Sequence, residues 1–105
     1  FLREARAASK LSHPNTITVY DFGQTDDGFL YMVMERLTGR ALSDILDEEL
    51  RLTPARSVHI ISQICDSLAQ AHNHNIQHRD LKPENIFLVA GLPPPDYIKV
   101  LDGVR

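Results

Sequence analysis

Eight consecutive residues, His78-Arg79-Asp80-Leu81-Lys82-Pro83-Glu84-Asn85, bring together side chains that could do chemistry. Asp80 offers a carboxylate, Lys82 a cation two positions on, and Asn85 a neutral amide oxygen. In extended backbone, residues i and i+2 point the same way, so Asp80 and Lys82 can face one ligand. A carboxylate can orient a hydroxyl and accept its proton. An ammonium can neutralise charge on a phosphoryl oxygen in flight. An amide oxygen suits a hard cation such as Mg2+. Asp102, which ends the apolar run Tyr97-Ile98-Lys99-Val100-Leu101, adds a second hard oxygen. One base, one cation and two oxygen ligands are the parts of a phosphoryl-transfer site.

The flanking sequence predicts the elements that must hold this loop. Leu2, Ala5, Ala8 and Leu11 recur at helical spacing, and Ser12-His13-Pro14-Asn15 ends that helix because a residue before proline is pushed out of the α region. Thr16 to Tyr20 and Phe29 to Met34 read as strands, joined by a turn from Gly23 to Gly28 into an antiparallel hairpin. Glu35 to Gly39 is a connector. Ala41 to Leu50 is a short acidic helix with Leu42, Ile45 and Leu46 on one side. The strongest helix starts at Thr53-Pro54, a cap followed by a proline suited to the first turn. Val58, Ile61, Cys65, Leu68 and His72 form its stripe, widened by Ile60, Ile64 and Ala71, so the helix is expected to be largely buried, with a left-handed stop at Asn73 to Asn75. Ile86 to Val89 and Tyr97 to Leu101 are expected to pair as strands around a turn at Gly91 to Pro95.

Composition narrows the function classes. The chain has 105 residues, with 11 Lys+Arg against 14 Asp+Glu for a formal charge of −3. That mild acidity is no footprint for nucleic acid. No run approaches the roughly 18 apolar residues of a membrane span, and no secretory leader opens the chain. The single Cys65 precludes an internal disulfide, fits a reducing compartment such as the cytoplasm, and is expected as an inert core thiol on the buried stripe. The spacing of His72, His74 and His78 matches no zinc pattern. A first residue that is Phe, within a helix, and an end just after a strand suggest a piece of a larger protein.

The segment His78 to Asn85 resembles the catalytic loop of eukaryotic-type serine/threonine protein kinases, in their bacterial form, and Lys82 is similar to the serine/threonine subclass. The resemblance runs along nearly the whole chain. Phe1-Leu2-Arg3-Glu4-Ala5 is similar to the small-lobe C-helix, with Glu4 at the position that pairs the ATP-holding lysine. His13-Pro14-Asn15 resembles the turn after that helix, and the hairpin resembles strands four and five. Met34-Glu35-Arg36-Leu37 falls at the gatekeeper and hinge. The resemblance implies that the Glu35 carbonyl and the Leu37 amide and carbonyl face adenine. It also implies Asp44 near the ribose and Phe87 as the floor beneath adenine. Asp80 would be the base, Lys82 the phosphoryl-stabilising cation, and Asn85 and Asp102 the Mg2+ ligands.

The implied fold is α+β, a partial two-lobe kinase fold with a small-lobe part at 1–34, a hinge at 35–40 and a large-lobe part at 41–105. The implied reaction is phosphoryl transfer from Mg-ATP to a protein Ser or Thr hydroxyl, in the cytoplasm. Neither nucleic acid nor membrane contact is expected from this segment. Three departures stand out. The glycine-rich loop and the lysine-bearing strand are absent from this chain, so Glu4 has no partner in it. Asp102-Gly103-Val104 replaces the family's Asp-Phe-Gly. The activation segment that would meet Arg79 is absent as well. An inactive remnant, a pseudokinase that binds nucleotide or protein, is therefore the alternative reading. The 105-residue chain alone is expected to be inactive.

Overall fold

Ile98 has no exposed surface and Ile60 almost none, and the core is built around them. The computed structural model describes residues 3, 6–7, 9–74 and 81–101. Strands β1 (Val19–Gln24) and β2 (Leu30–Met34) form an antiparallel hairpin. Strands β3 (Gly39–Ala41), β4 (Ile86–Val89) and β5 (Ile98–Val100) form an antiparallel sheet in the order β3-β4-β5. Helix α1 (Leu42–Glu49) follows β3 directly, and helix α2 (Pro54–Asn73) packs against β5. A 3-10 turn, Pro83–Asn85, leads into β4.

One face of the three-stranded sheet supplies Ile86, Leu88, Ile98 and Val100 to a cluster with Leu42, Ile45 and Ile60, and Leu46, Leu52 and Ile64 pack around it. The alternation of strand side chains explains the pattern: even-numbered residues of β4 and β5 are buried, while Phe87 and Lys99 between them face the other way and are half-buried. Helix α2 starts as expected, with the Thr53 hydroxyl accepting from the Arg56 amide at 3.2 Å and Pro54 in the first turn.

Several expectations are corrected. Ile60 and Ala71 of α2 are buried as expected and Ser67 joins them, whereas Val58, Ile61, Cys65 and His72 of the expected stripe are exposed. Ser67 takes a core position because its hydroxyl pairs with that of Thr16 at 2.5 Å, which removes the cost of burying it. Cys65 is therefore an exposed thiol rather than a core one. The helix runs to Asn73 with His74 as its cap at φ −99°, while Asn75, the last residue of the expected left-handed stop, lies outside the described residues. The run Thr16 to Tyr20 is divided between two neighbours. Thr16 bridges in parallel to Val100, and only from Val19 does the chain join the hairpin, with an irregularity between Val19 and Asp21. Arg3, Arg6 and Ala7 are helical as expected, and Leu11 is buried, whereas Leu2, Ala5 and Ala8 lie outside the described residues.

Strand β3 was not expected within the connector. Gly39 permits it: its φ is +151°, and a Cβ there would stand 2.0 Å from the Leu88 carbonyl oxygen of the neighbouring strand. Only a residue without a side chain lets the two backbones pair. Replacement of Gly39 by alanine is expected to cost about 1–3 kcal/mol in backbone strain alone, with the clash added. Urea unfolding of Gly39→Ala beside the parent chain measures this; an unchanged midpoint would remove the close approach as a requirement of the sheet.

Candidate active site

The loop that carries the polar residues is anchored at its C-terminal end. Lys82 is extended, with φ −157° and ψ 162°, and its carbonyl accepts from the Asn85 amide at 2.8 Å, closing the 3-10 turn. Proline at the first position of that turn suits its fixed φ. Asn85 is buried, and its carbonyl accepts from the Leu101 amide at 2.8 Å. That bond sets the end of the loop beside the residue that precedes Asp102. Lys82 is exposed.

The connector meets the same sheet from the other side. The Glu35 amide donates to the Thr18 carbonyl at 2.9 Å, and its carboxylate accepts from the Thr18 amide at 2.9 Å and from the Lys99 ammonium at 2.5 Å. Burial pushes the Glu35 carboxyl up, but the hydrogen bond from Lys99, those from Thr18 and the Lys99 charge outweigh it, so it sits below its ordinary value of 4.5. Phe87 on β4 is paired with Lys99 on one side and Ala41 on the other, so the three side chains form one row. Leu37 is half-buried, and the Thr38 carbonyl accepts from Ala90 at 2.8 Å, stitching the connector to the end of β4. Asp44 lies exposed in the first turn of α1.

Of the residues singled out by the sequence, the structure brings Asn85 next to Leu101, and Glu35 and Phe87 to a shared neighbour, Lys99. Asp80, Asp102 and Glu4 lie outside the described residues. A cavity of about 280 Å³ opens between α1, α2 and the loop, lined by Leu42, Leu46, Ile60, Ile64, Lys82 and Pro83 among others. It is apolar and does not border Glu35, Leu37 or Phe87.

Sequence reasoning missed Lys99 and Gln63. Lys99 carried a faint signal, a lone charge in the apolar run 97–101. Gln63 carried none; its amide oxygen accepts from Ile98 N at 3.0 Å and Asn15 Nδ2 at 2.9 Å, and its amide nitrogen donates to the Asp96 carbonyl at 2.8 Å. The His13-Pro14-Asn15 turn is tied to β5 as well, through Asn15 Nδ2 to the Ile98 carbonyl at 2.9 Å and through the Tyr97 hydroxyl, which donates to the Pro14 carbonyl.

A family model described as the protein kinase domain matches residues 1–102. The chain belongs to the protein kinase family. Relatives of this kinase chain include the serine/threonine-protein kinase pkn3 of Myxococcus xanthus, 50% identical over 102 residues that make up 97% of this chain and 19% of that protein. PrkC of Bacillus subtilis is 42% identical over 88 residues, 84% of this chain and 13% of that one. PknB of Mycobacterium tuberculosis is 41% identical over 105 residues, 97% of this chain and 16% of that one. The solved structure of Rad53 1-466 in complex with AMP-PNP superposes with a TM-score of 0.86 at 30% identity, covering 98% of this chain and 27% of that one. The fold is thus α+β, a partial kinase fold, and the chain spans a fifth or less of the length of these curated relatives.

The Glu35–Lys99 pair makes stability depend on pH. The Glu35 carboxyl is lowered in the folded state, so the stabilisation is complete above its ordinary value of 4.5 and is lost as the pH falls through the lower, folded value. At pH 7, Lys99→Met is expected to lose about 1 kcal/mol, or roughly 4–8 °C in melting temperature for a domain of this size. The gap between variant and parent should close as the pH is taken progressively below 4.5. Thermal melts across that range check this, and a gap independent of pH would assign the loss to packing of the lysine stem.

Proposed function

We propose that the whole protein carrying this chain is a serine/threonine protein kinase that transfers the γ-phosphoryl group of ATP to a Ser or Thr hydroxyl of a protein. The observation that carries the reading is the bond between the Asn85 carbonyl and the Leu101 amide, because it joins the end of the polar loop to the strand end that delivers Asp102. The named activity of the bacterial relatives supports it, and so does the AMP-PNP held by the Rad53 structure.

In this reading residues 1–34 belong to the small lobe, 35–40 to the hinge and 41–105 to the large lobe. The adenine edge meets the Glu35 carbonyl and the Leu37 amide and carbonyl, the ring lies over Phe87, and Asp44 approaches the ribose. Glu4 pairs the lysine that holds the ATP phosphates. Asp80 accepts the proton of the substrate hydroxyl as its oxygen bonds to the γ-phosphorus. The bond from that phosphorus to the β-γ bridging oxygen breaks, and ADP leaves with the electron pair. Lys82 offsets the negative charge on the moving group. Asn85 and Asp102 fit Mg2+ by type, both being hard oxygen donors, and by the adjacency of Asn85 to Leu101. When bound, Mg2+ neutralises phosphate charge. Positioning and charge neutralisation then account for most of the acceleration. A protein substrate, ATP and a single unpaired cysteine fit the cytoplasm.

The replacement of the family's Asp-Phe-Gly by Asp102-Gly103-Val104 favours a second reading, a pseudokinase that binds nucleotide or protein without turnover. One variant separates the two. In the whole protein, Asp80→Asn is expected to lower kcat by at least about 100-fold while nucleotide affinity stays within about threefold, since binding and proton acceptance are separate tasks. Radiolabelled phosphate transfer and nucleotide titration measure the two. Equal turnover by variant and parent removes Asp80 from its role, and a parent without turnover leaves the pseudokinase. The 105-residue chain alone should transfer no phosphate; ATP-dependent labelling of a substrate by the purified chain would contradict that.

A further inference from the structure

On the face of the sheet turned away from the core, Ala41, Phe87 and Lys99 are direct cross-strand neighbours. An ammonium beside an aromatic floor is costly to bury unless it is paired. Here it is paired: Lys99 Nζ lies 2.5 Å from Glu35 Oε1, and the two side chains are only 13% and 19% exposed. Glu35 is held at its backbone too, since its amide donates to the Thr18 carbonyl while its carboxylate takes the Thr18 amide. With the amide fixed at the start of the hairpin and the carboxylate fixed to β5, two substituents of the Glu35 Cα are held, and with them the place from which its carbonyl extends.

We propose that Lys99 is a positioning residue of the nucleotide site, its ion pair with Glu35 fixing the place of the Glu35 carbonyl that receives the adenine amino group. The inference rests on the kinase reading above and adds to it a residue from the metal-bearing strand that acts on the base rather than on the phosphates. Lys99 touches neither reacting atom, so its effect is on nucleotide affinity. A plain stabilising pair, by contrast, lowers the melting temperature and leaves affinity alone.

The test uses the whole protein and four variants: Lys99→Met, Lys99→Arg, Glu35→Gln, and the double variant Lys99→Met/Glu35→Gln. Glu35→Gln keeps an oxygen for the Thr18 amide, and Lys99→Arg keeps a cation, so a folded variant is available on each side of the pair. A fluorescent ATP analogue is titrated in EDTA and again with Mg2+, and KM for ATP and kcat are measured on a Ser-containing peptide. Lys99→Met and Glu35→Gln should each weaken nucleotide binding about five- to tenfold, by the same factor with and without Mg2+. The double variant should be no weaker than the weaker single one. Lys99→Arg should restore affinity to within about twofold, and KM for ATP should move more than kcat. Variants that bind as tightly as the parent overturn the proposal, as does a loss seen only with Mg2+, which would route the effect through the metal end of the strand. A parent that binds no nucleotide removes the kinase reading and this inference together, whereas a binding parent with unaffected variants removes this inference alone.

Discussion

Strand β5 is three residues long, and the described site depends on both of its edges being satisfied. One edge pairs with β4. On the other edge, every backbone group of Ile98 and Val100 has a partner: the Ile98 amide donates to Gln63 Oε1, its carbonyl accepts from Asn15 Nδ2, the Val100 amide donates to the Asn15 carbonyl, and the Val100 carbonyl accepts from the Ile17 amide. Buried backbone groups without partners are expensive, so this second edge is closed by two side chains, Gln63 and Asn15, and by the backbone of residues 15 and 17, where no full strand is available. The same four bonds fix the register of β5, and with it which of its residues face the core.

Three separate parts of the described chain are attached to that strand or to the residue after it. The polar loop reaches it through Asn85 and Leu101, the connector through Glu35 and Lys99, and the turn at residues 13–15 through Asn15 and Tyr97. The turn that precedes β5 is held from below as well. Arg56 donates two hydrogen bonds to Asp96, at 2.8 and 3.1 Å, and two to Glu49, both at 3.1 Å, and these bonds, chiefly those to Asp96, hold its guanidinium charged. Such forked contacts define direction as well as distance. A shift of β5 would move the Glu35 side chain and the end of the polar loop together, since both are bonded to it or to the residue that follows it.

Other surfaces are left open in the described chain. Tyr20, Phe29 and Leu30 of the hairpin are exposed, and so are Val58 and Ile61 of α2, while the structural likeness to a kinase that holds a nucleotide analogue extends over 98% of this chain and only 27% of that one. The core around Ile60 and Ile98 is closed nonetheless, because its two layers, α1 with α2 and the sheet β3-β4-β5, all lie within residues 39–100.

The residue types that the proposed phosphoryl-transfer chemistry needs, Asp80, Lys82, Asn85 and Asp102, were readable from the sequence alone, because carboxylate, ammonium and amide carry their chemistry in their type. So were the hairpin, the cap at Thr53 and the strands at 86–89 and 98–100, which are local in origin: alternation, a hydroxyl three residues before an amide, a proline in a first turn. What sequence could not decide was which stripe of α2 is covered, since Val58–Ile61–Cys65 and Ile60–Ser67–Ala71 are both helical rows and only a partner such as Thr16, far off in the chain, makes Ser67 the buried one. Nor could it reveal Lys99, Gln63 or strand β3. Each of these owes its role to a contact between residues dozens of positions apart, and such a contact exists only once the chain has closed on itself.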